Sequence, residues 1–420
     1  MIYLILGIIV LMLVGVPVAL ALAGGSLVFL LITDQVPLLA VAQRMIGNID
    51  SFSLLAIPFF ILAGNLMNSG GITKRIFAFA GSIFGWLPGG MGYVNVGASI
   101  IFSGMSGAAV ADAGGLGSIE IQAMRDAGYD DEFSIGVTAA SSTIGPIIPP
   151  SLPMIIMGVV GGISIGDLFI GGIIPGLVMG LAISLMVFYY AVKRKYGIIS
   201  AFNIRNIWNT FRHAFLALMT PVLIIGGILG GVFTPTEAAV AASIYSLLLG
   251  IFVYKTLTWR SFFKTIFDTA EMTASILLIV SAAGIFAWIL TTNRMAEIFS
   301  AGLLSISDNR IVLLLLINLV LLVVGCFLDS IAAITILTPV LMPIAMELGL
   351  EPVQFGVMVV LNLMIGLLTP PLGMVLYVLS TVAKVPFEKS VRGTAPFLIP
   401  LLATLLLITF VPEISMVFIQ

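Results

Sequence analysis

Long apolar stretches recur along the whole chain, and no other feature constrains its fold as strongly. A run of about 18 or more apolar residues is long enough to cross a bilayer as a helix. Near-continuous runs such as residues 311–325 and 396–411 fit that pattern. An outer-membrane barrel would instead alternate apolar and polar residues in strands of about ten. Only 9% of the residues are charged and 60% are apolar, whereas a soluble domain is about 25% charged. The composition therefore excludes a soluble enzyme and a disordered tail. The net charge of −2 offers no basic face to a nucleic acid.

Scarce residue types narrow the chemistry further. A single cysteine, Cys326, rules out a disulfide framework and a cysteine metal site. A single histidine, His213, rules out histidine-cluster metal chemistry. No phosphate-binding P-loop is present, so the chain does not itself hydrolyse ATP. Residues 1–31 lack a basic leader and a small-residue cleavage site. They read as retained membrane helices, two short ones split at Gly15 and Pro17.

The chain carries the same pattern twice. Ile144-Gly145-Pro146-Ile147-Ile148-Pro149-Pro150 matches Ile365-Gly366-Leu367-Leu368-Thr369-Pro370-Pro371. Glu132-Phe133-Ser134-Ile135 matches Gln354-Phe355-Gly356-Val357, and Asn65 aligns with Asn293. Val16-Pro17 aligns with Thr234-Pro235. The expected units are a first repeat, 1–192, an interfacial linker helix, 193–213, and a second repeat, 214–420. Scaffold helices are expected at 1–86 and 214–290. The first repeat then has a hairpin at 89–124, a broken helix at 134–162 and a helix at 170–192. The second has a hairpin at 310–345, a broken helix at 352–382 and a helix at 394–414.

Charge sets the orientation, because cytoplasmic loops collect Lys and Arg. Placing Lys193-Arg194-Lys195 inside puts all but Arg44, Arg294 and Arg310 of the 17 basic residues on the cytoplasmic side. Parallel repeats would put a basic cluster outside. The repeats are therefore read as inverted, with re-entrant hairpins, which is a transporter architecture.

Irregular backbone at membrane depth is tolerated where it lines a cavity. Pro149-Pro150 removes two amide donors inside an apolar run, and Pro370-Pro371 does so in the second half. Carbonyls freed there suit a hard cation. The hairpin tips are the second feature. Ser103-Gly104-Met105-Ser106-Gly107 combines small residues and hydroxyls, then starts a half-helix whose N-terminus favours an anion. The other tip, Gly325-Cys326-Phe327-Leu328-Asp329-Ser330, carries an acid. Asp329 reads equally as a cation ligand or as a helix N-cap, and Asp112 is similarly ambiguous. Glu237 reads as a cap, and Asp268 and Glu271 as dipole partners at a helix start. Asn65 and Asn293 read as packing contacts.

These motifs resemble a known family. Phe59-Phe60-Ile61-Leu62-Ala63-Gly64-Asn65-Leu66-Met67, Phe102-Ser103-Gly104-Met105-Ser106-Gly107-Ala108-Ala109-Val110-Ala111-Asp112, Gly145-Pro146-Ile147-Ile148-Pro149-Pro150-Ser151 and Gly231-Val232-Phe233-Thr234-Pro235-Thr236-Glu237-Ala238-Ala239 are similar to the large membrane subunit of tripartite ATP-independent periplasmic (TRAP) transporters. The resemblance implies an all-α polytopic protein of the bacterial inner membrane with an ion-transporter-superfamily-like elevator fold. It also implies a sodium gradient as driving force, a small four-helix membrane subunit and a periplasmic substrate-binding protein. The substrate would be an organic acid, such as a C4-dicarboxylate or a sialic acid. No cofactor is implied.

On that basis the first sodium site is expected at Ser103, Ser106, Gly107, Gly145, Pro149 and Pro150. The second is expected at Gly325, Asp329, Ser330, Gly366, Thr369 and Leu372. The substrate is expected near Ser103, Asn95, Asp329 and Ser151. Two sodium ions are the minimum, since importing each negative charge against about 100 mV costs about 2.3 kcal/mol. The rival reading is a stand-alone proton- or sodium-coupled organic anion symporter. An intramembrane enzyme would need a nucleophile beside a base, or paired acids; His213 has no acid nearby in sequence, and Cys326 has no adjacent base.

Overall fold

The computed structural model describes residues 2–33, 38–199, 201–304 and 307–419, and every regular element among them is helical. The N-terminal segment forms two helices, α1 (Ile2–Leu13) and α2 (Val18–Thr33), with Gly15 in a left-handed conformation between them. Then come α3 (Leu38–Ile49), α4 (Ala56–Ser69) and α5 (Ile72–Phe84). A hairpin of α6 (Gly90–Ser106) and α7 (Ala109–Asp126) leads into α8 (Asp131–Ser142). The chain breaks at residues 143–151 and resumes as α9 (Leu152–Gly161). Ser151 ends the break by accepting a hydrogen bond from the Met154 amide at 3.2 Å, a side-chain N-cap. The next helix, α10 (Ile165–Arg194), is 30 residues long, about 45 Å at 1.5 Å per residue.

In the second half α11 (Ile204–Leu229) and α12 (Pro235–Leu248) precede the 34-residue α13 (Trp259–Thr292) and the short α14 (Met295–Leu304). A second hairpin joins α15 (Arg310–Gly325) to α16 (Ser330–Glu347). The helix α17 (Pro352–Gly366) breaks at 367–373 before α18 (Met374–Ala383). The chain ends with α19 (Phe387–Thr394), α20 (Leu398–Phe410) and α21 (Glu413–Met416). Among the described residues, seven helical stretches are long and apolar enough to span a membrane. Large apolar side chains such as Leu181, Leu185 and Phe267 stand exposed on them, as they do where lipid is the solvent.

Packing exchanges partners between the halves. The second arm of each hairpin lies against the post-break helix of the other half, α7 on α18 and α16 on α9. Likewise α8 packs on α19, and α17 on α10. Glycine makes one of these contacts possible: a Cβ on Gly136 of α8 would collide with the Gly393 carbonyl of α19. A Cβ on Gly393 would in turn meet the Glu132 carbonyl. On the other side α12 is bound to α4, with Ser243 donating to the Phe59 carbonyl at 2.7 Å. The long α13 bridges both groups, touching α2, α3 and α4 as well as α16.

Two expectations are corrected here. No separate linker helix occupies 193–213. Lys193 and Arg194 belong to the last turn of α10, which ends at a left-handed Lys195. Asn203 then caps α11 through the Arg205 and Asn206 amides, so residues 204–213 are simply its first turns. Asp268 and Glu271 are not at a helix start either. Thr258 caps α13 through the Ser261 amide, which places both acids well inside the helix. Glu237 does form a capping box with Thr234, as its spacing implies.

Candidate functional site

The first tip sits on the first break. Gly107 turns the chain with φ 61°, and Ala108 returns to extended backbone before α7 begins. The Gly107 carbonyl accepts from the Leu152 amide at 3.4 Å. A Cβ on Gly107 would lie 2.8 Å from the Pro150 carbonyl, so only glycine allows this approach. Tip and break therefore meet backbone to backbone, bringing Gly107 beside Pro150 and Ser151. The Pro149–Pro150 peptide is cis, as is Pro370–Pro371. Ser103 is buried and donates to the Ile100 carbonyl, while the Ser151 hydroxyl donates to Pro146. Gly145 lies within the same break, next to Pro146. Ser106 closes α6 by its backbone, and its side chain lies outside the described residues.

The second tip and break repeat the arrangement. A Cβ on Gly366 would fall 2.6 Å from Gly325 Cα, so α17 and the end of α15 also touch through backbone. Asp329 is the N-cap of α16 and accepts from the Ile331 amide at 3.0 Å. Thr369 donates to the Ile365 carbonyl at 2.9 Å, and Ser330 is buried. Leu372 is 45% exposed.

Both tips open onto one cavity of about 500 Å³. The start of α7, from Ala108 to Ala111, forms one part of its wall, and Asp329 and Ser330 form another. Pro146 and Leu152 of the first break and Leu367 and Met374 around the second complete that side. Across the cavity stands α13, presenting Glu271, Met272, Ser275, Ile276 and Ile279. The wall thus has two helix N-termini, α7 with no side-chain cap and α16 capped by its own carboxylate. Among the described lining residues there is no Lys, Arg or His.

Of the four expected substrate residues, Asp329 lines this cavity. Asn95 does not: it is buried against α8, donating to Thr138 at 2.7 Å and accepting from Ser141 at 2.6 Å. Ser103 and Ser151 are spent on local backbone carbonyls behind the wall. The expectation missed Glu271 and Ser275, which share a face of α13 one turn apart. The Thr258 cap was the signal that could have found them, since it lengthens α13 and moves Glu271 to its middle. Asp112 is buried one turn into α7, and neither carboxylate oxygen has a hydrogen bond of standard geometry, although Ser99 is beside it. Asn65 donates to Thr269 at 3.1 Å and ties α4 to α13, and Asn293 donates to the Ile289 carbonyl at 2.8 Å.

At the end of the bundle rich in basic residues, an ionic clamp joins the two halves. Asp131 accepts from Arg125 at 2.7 Å and from Lys389 of α19 at 2.8 Å. Arg125 also donates to the Ala383 carbonyl at 2.6 Å. Lys389 and Arg125 hold the Asp131 carboxyl below its ordinary range. Burial works against ionisation of Asp130, but hydrogen bonds from Arg194, Tyr196 and the Phe133 amide outweigh it and hold its carboxyl low. Burial, together with that bond to Asp130, lifts the Tyr196 hydroxyl to about 12.

An all-helical bundle with many apolar spans, two hairpins and two broken helices around one cavity defines a polytopic membrane transporter rather than an enzyme. Residues 5–414 match the model of the tripartite ATP-independent periplasmic transporter DctM component, and the chain belongs to that family. It is therefore a multi-pass protein of the bacterial inner membrane and a secondary transporter subunit. The sialic acid TRAP transporter large permease protein of Vibrio cholerae is 49% identical over 96% of this chain and 94% of its own length. The sialic acid TRAP transporter permease protein of Haemophilus influenzae is 44% identical over 96% of this chain, which spans 66% of that longer protein. Among solved structures, the Alcanivorax borkumensis YdaH transporter shares the fold. It superposes with a TM-score of 0.67 at 15% identity, over 91% of this chain and 89% of its own.

Proposed function

We propose that this chain is the permease through which an organic acid, brought by a periplasmic binding protein, enters the cell together with sodium ions. The observation that carries the reading is the cavity of about 500 Å³ shared by both hairpin tips. A carboxylate fits at the start of α7, where the helix dipole favours an anion and the cap residue, Ala108, brings no acid of its own. The two backbone-packed tips, Gly107 against Pro150 and Gly325 against Gly366, are where sodium ions would bind. Asp329 and Ser330 supply the charged and hydroxyl oxygens of the second site. Sialic acid, the substrate in the names of two relatives, is the first candidate cargo.

The movement would be an elevator. The hairpins and broken helices, knit together by their exchanged contacts and the ionic clamp, would slide as a body against α4, α12 and α13. The exchange of partners supports the inverted-repeat division at residues 1–192 and 214–420. A small four-helix membrane subunit would cover part of the exposed apolar surface. One observation favours a second reading, a proton-coupled symporter that needs no binding protein: Asp112 is buried in the first hairpin with no hydrogen bond of standard geometry to its carboxylate.

Uptake of radiolabelled sialic acid into liposomes containing the permease, its small subunit and the binding protein separates the two. The proposal expects uptake that requires sodium and the binding protein and is lost in Asp329→Ala. Uptake driven by a proton gradient alone, without the binding protein, would replace it with the symporter.

A further inference from the structure

We infer that Glu271, assisted by Ser275, is a specificity-determining residue that accepts hydrogen bonds from the hydroxyl groups of the cargo. This rests on the reading of the cavity as the substrate site. Glu271 faces the cavity from α13, opposite the two hairpin tips. It is exposed to that space, and no hydrogen bond or ion pair to its carboxylate is found among the described residues. Glu271 belongs to a helix long and apolar enough to span a membrane, and an acid in such a helix is retained where it meets a cavity or a ligand. Ser275, one turn along, lines the same wall, and its hydroxyl donates to the Glu271 backbone carbonyl at 2.9 Å, leaving its own lone pairs free.

The chemistry of the wall then selects among acids. A carboxylate only accepts hydrogen bonds, so whatever Glu271 meets must bring a donor. The opposite wall has one helix N-terminus without an acid at its cap, at α7, because Asp329 already occupies the N-terminus of α16. No cationic side chain among the described residues lines the cavity to receive a second carboxylate. A C4-dicarboxylate anchored at α7 would direct its second charge into a wall bearing Glu271 and Asp329 and would be repelled. A polyhydroxylated monocarboxylic acid would place its carboxylate at α7 and donate its hydroxyls to Glu271. Selectivity would thus be built into the permease as well as into the binding protein.

Direct binding tests this without the binding protein. The permease and its small subunit are placed in nanodiscs, and sialic acid binding is measured in sodium with succinate as competitor. Wild type is expected to bind sialic acid and to discriminate strongly against succinate. Removing an acceptor for charge-assisted hydrogen bonds in Glu271→Ala is expected to weaken sialic acid binding by about tenfold or more. With sialic acid set at the same multiple of each variant's own dissociation constant, the sodium concentration for half-maximal binding should not move. Glu271→Gln, which keeps the shape, should fall between the two, and Glu271→Lys should let succinate compete. Sialic acid binding and discrimination unchanged in Glu271→Ala and Glu271→Gln would overturn the inference while leaving the function intact. A shift in the sodium midpoint would overturn it by making Glu271 a cation ligand. Absence of sodium-dependent sialic acid binding in wild type would instead remove the functional reading beneath it.

Discussion

Asp329 does two jobs that a substitution can separate. It caps α16 through the Ile331 amide and faces the cavity. Asn is as good an N-cap as Asp, whereas Ala loses the cap and costs about 1 kcal/mol. Asp329→Asn is therefore expected to keep the melting temperature of the purified protein and to weaken sodium dependence of uptake, while Asp329→Ala lowers the melting temperature and abolishes uptake. An Asn variant with unchanged sodium dependence would make Asp329 a cap alone. The two glycines at the second tip make a sharper packing prediction. Gly366→Ala drives a methyl group into the Gly325 backbone, which cannot move aside like a flexible side chain. Overpacking of this kind costs about 1–3 kcal/mol, so a lower melting temperature and reduced yield of monodisperse protein are expected.

At the scale of elements, the hairpins and breaks were legible because their signals are local. Pro-Pro pairs, small-residue tips and repeat spacing survive without knowledge of what packs where. The polar residues were harder to assign. Asn95 and Ser151 have the side chains of a binding site, yet Asn95 joins α6 to α8 and Ser151 caps α9. Only the packing partner distinguishes a structural amide or hydroxyl from a liganding one. Glu271 was misplaced because Arg260 and Lys264 suggested a boundary, whereas Thr258 starts a 34-residue helix that carries them as its first turns. The linker failed in the same way, since Arg205, Arg212 and His213 lie on a continuous α11.

The clamp between the halves, with the Asp130–Arg194 pair beside it, gives an element-scale prediction for pH. Asp130 and Asp131 both ionise more readily folded than in an unfolded chain, where Asp titrates near about 3.9. Their contribution to stability is therefore fully present above about pH 4 and is lost as pH falls further through the depressed folded values. Thermal unfolding in detergent should show no loss from this clamp between about pH 6 and 8. Below about pH 4 it should weaken, and Asp131→Asn should show less of that weakening while being less stable at neutral pH.

For the whole molecule, the two halves build one cavity that neither could form alone. Each hairpin is held by its own half's break at the tip and by the other half's post-break helix along its second arm. The third wall, α13, belongs to the layer that also includes α2, α3 and α4. On the proposed elevator reading, a cargo bound there would touch the moving body on one side and the fixed wall on the other. Cross-linking the two is the most direct test of that central claim. Cysteines at Ile279 and Ile331, which also line the cavity from the two sides, would be bridged in a Cys326→Ser background in the membrane-embedded complex and uptake of sialic acid measured. The elevator account predicts that bridging abolishes sodium-driven uptake and that reduction restores it. Full uptake with the bridge intact would contradict it.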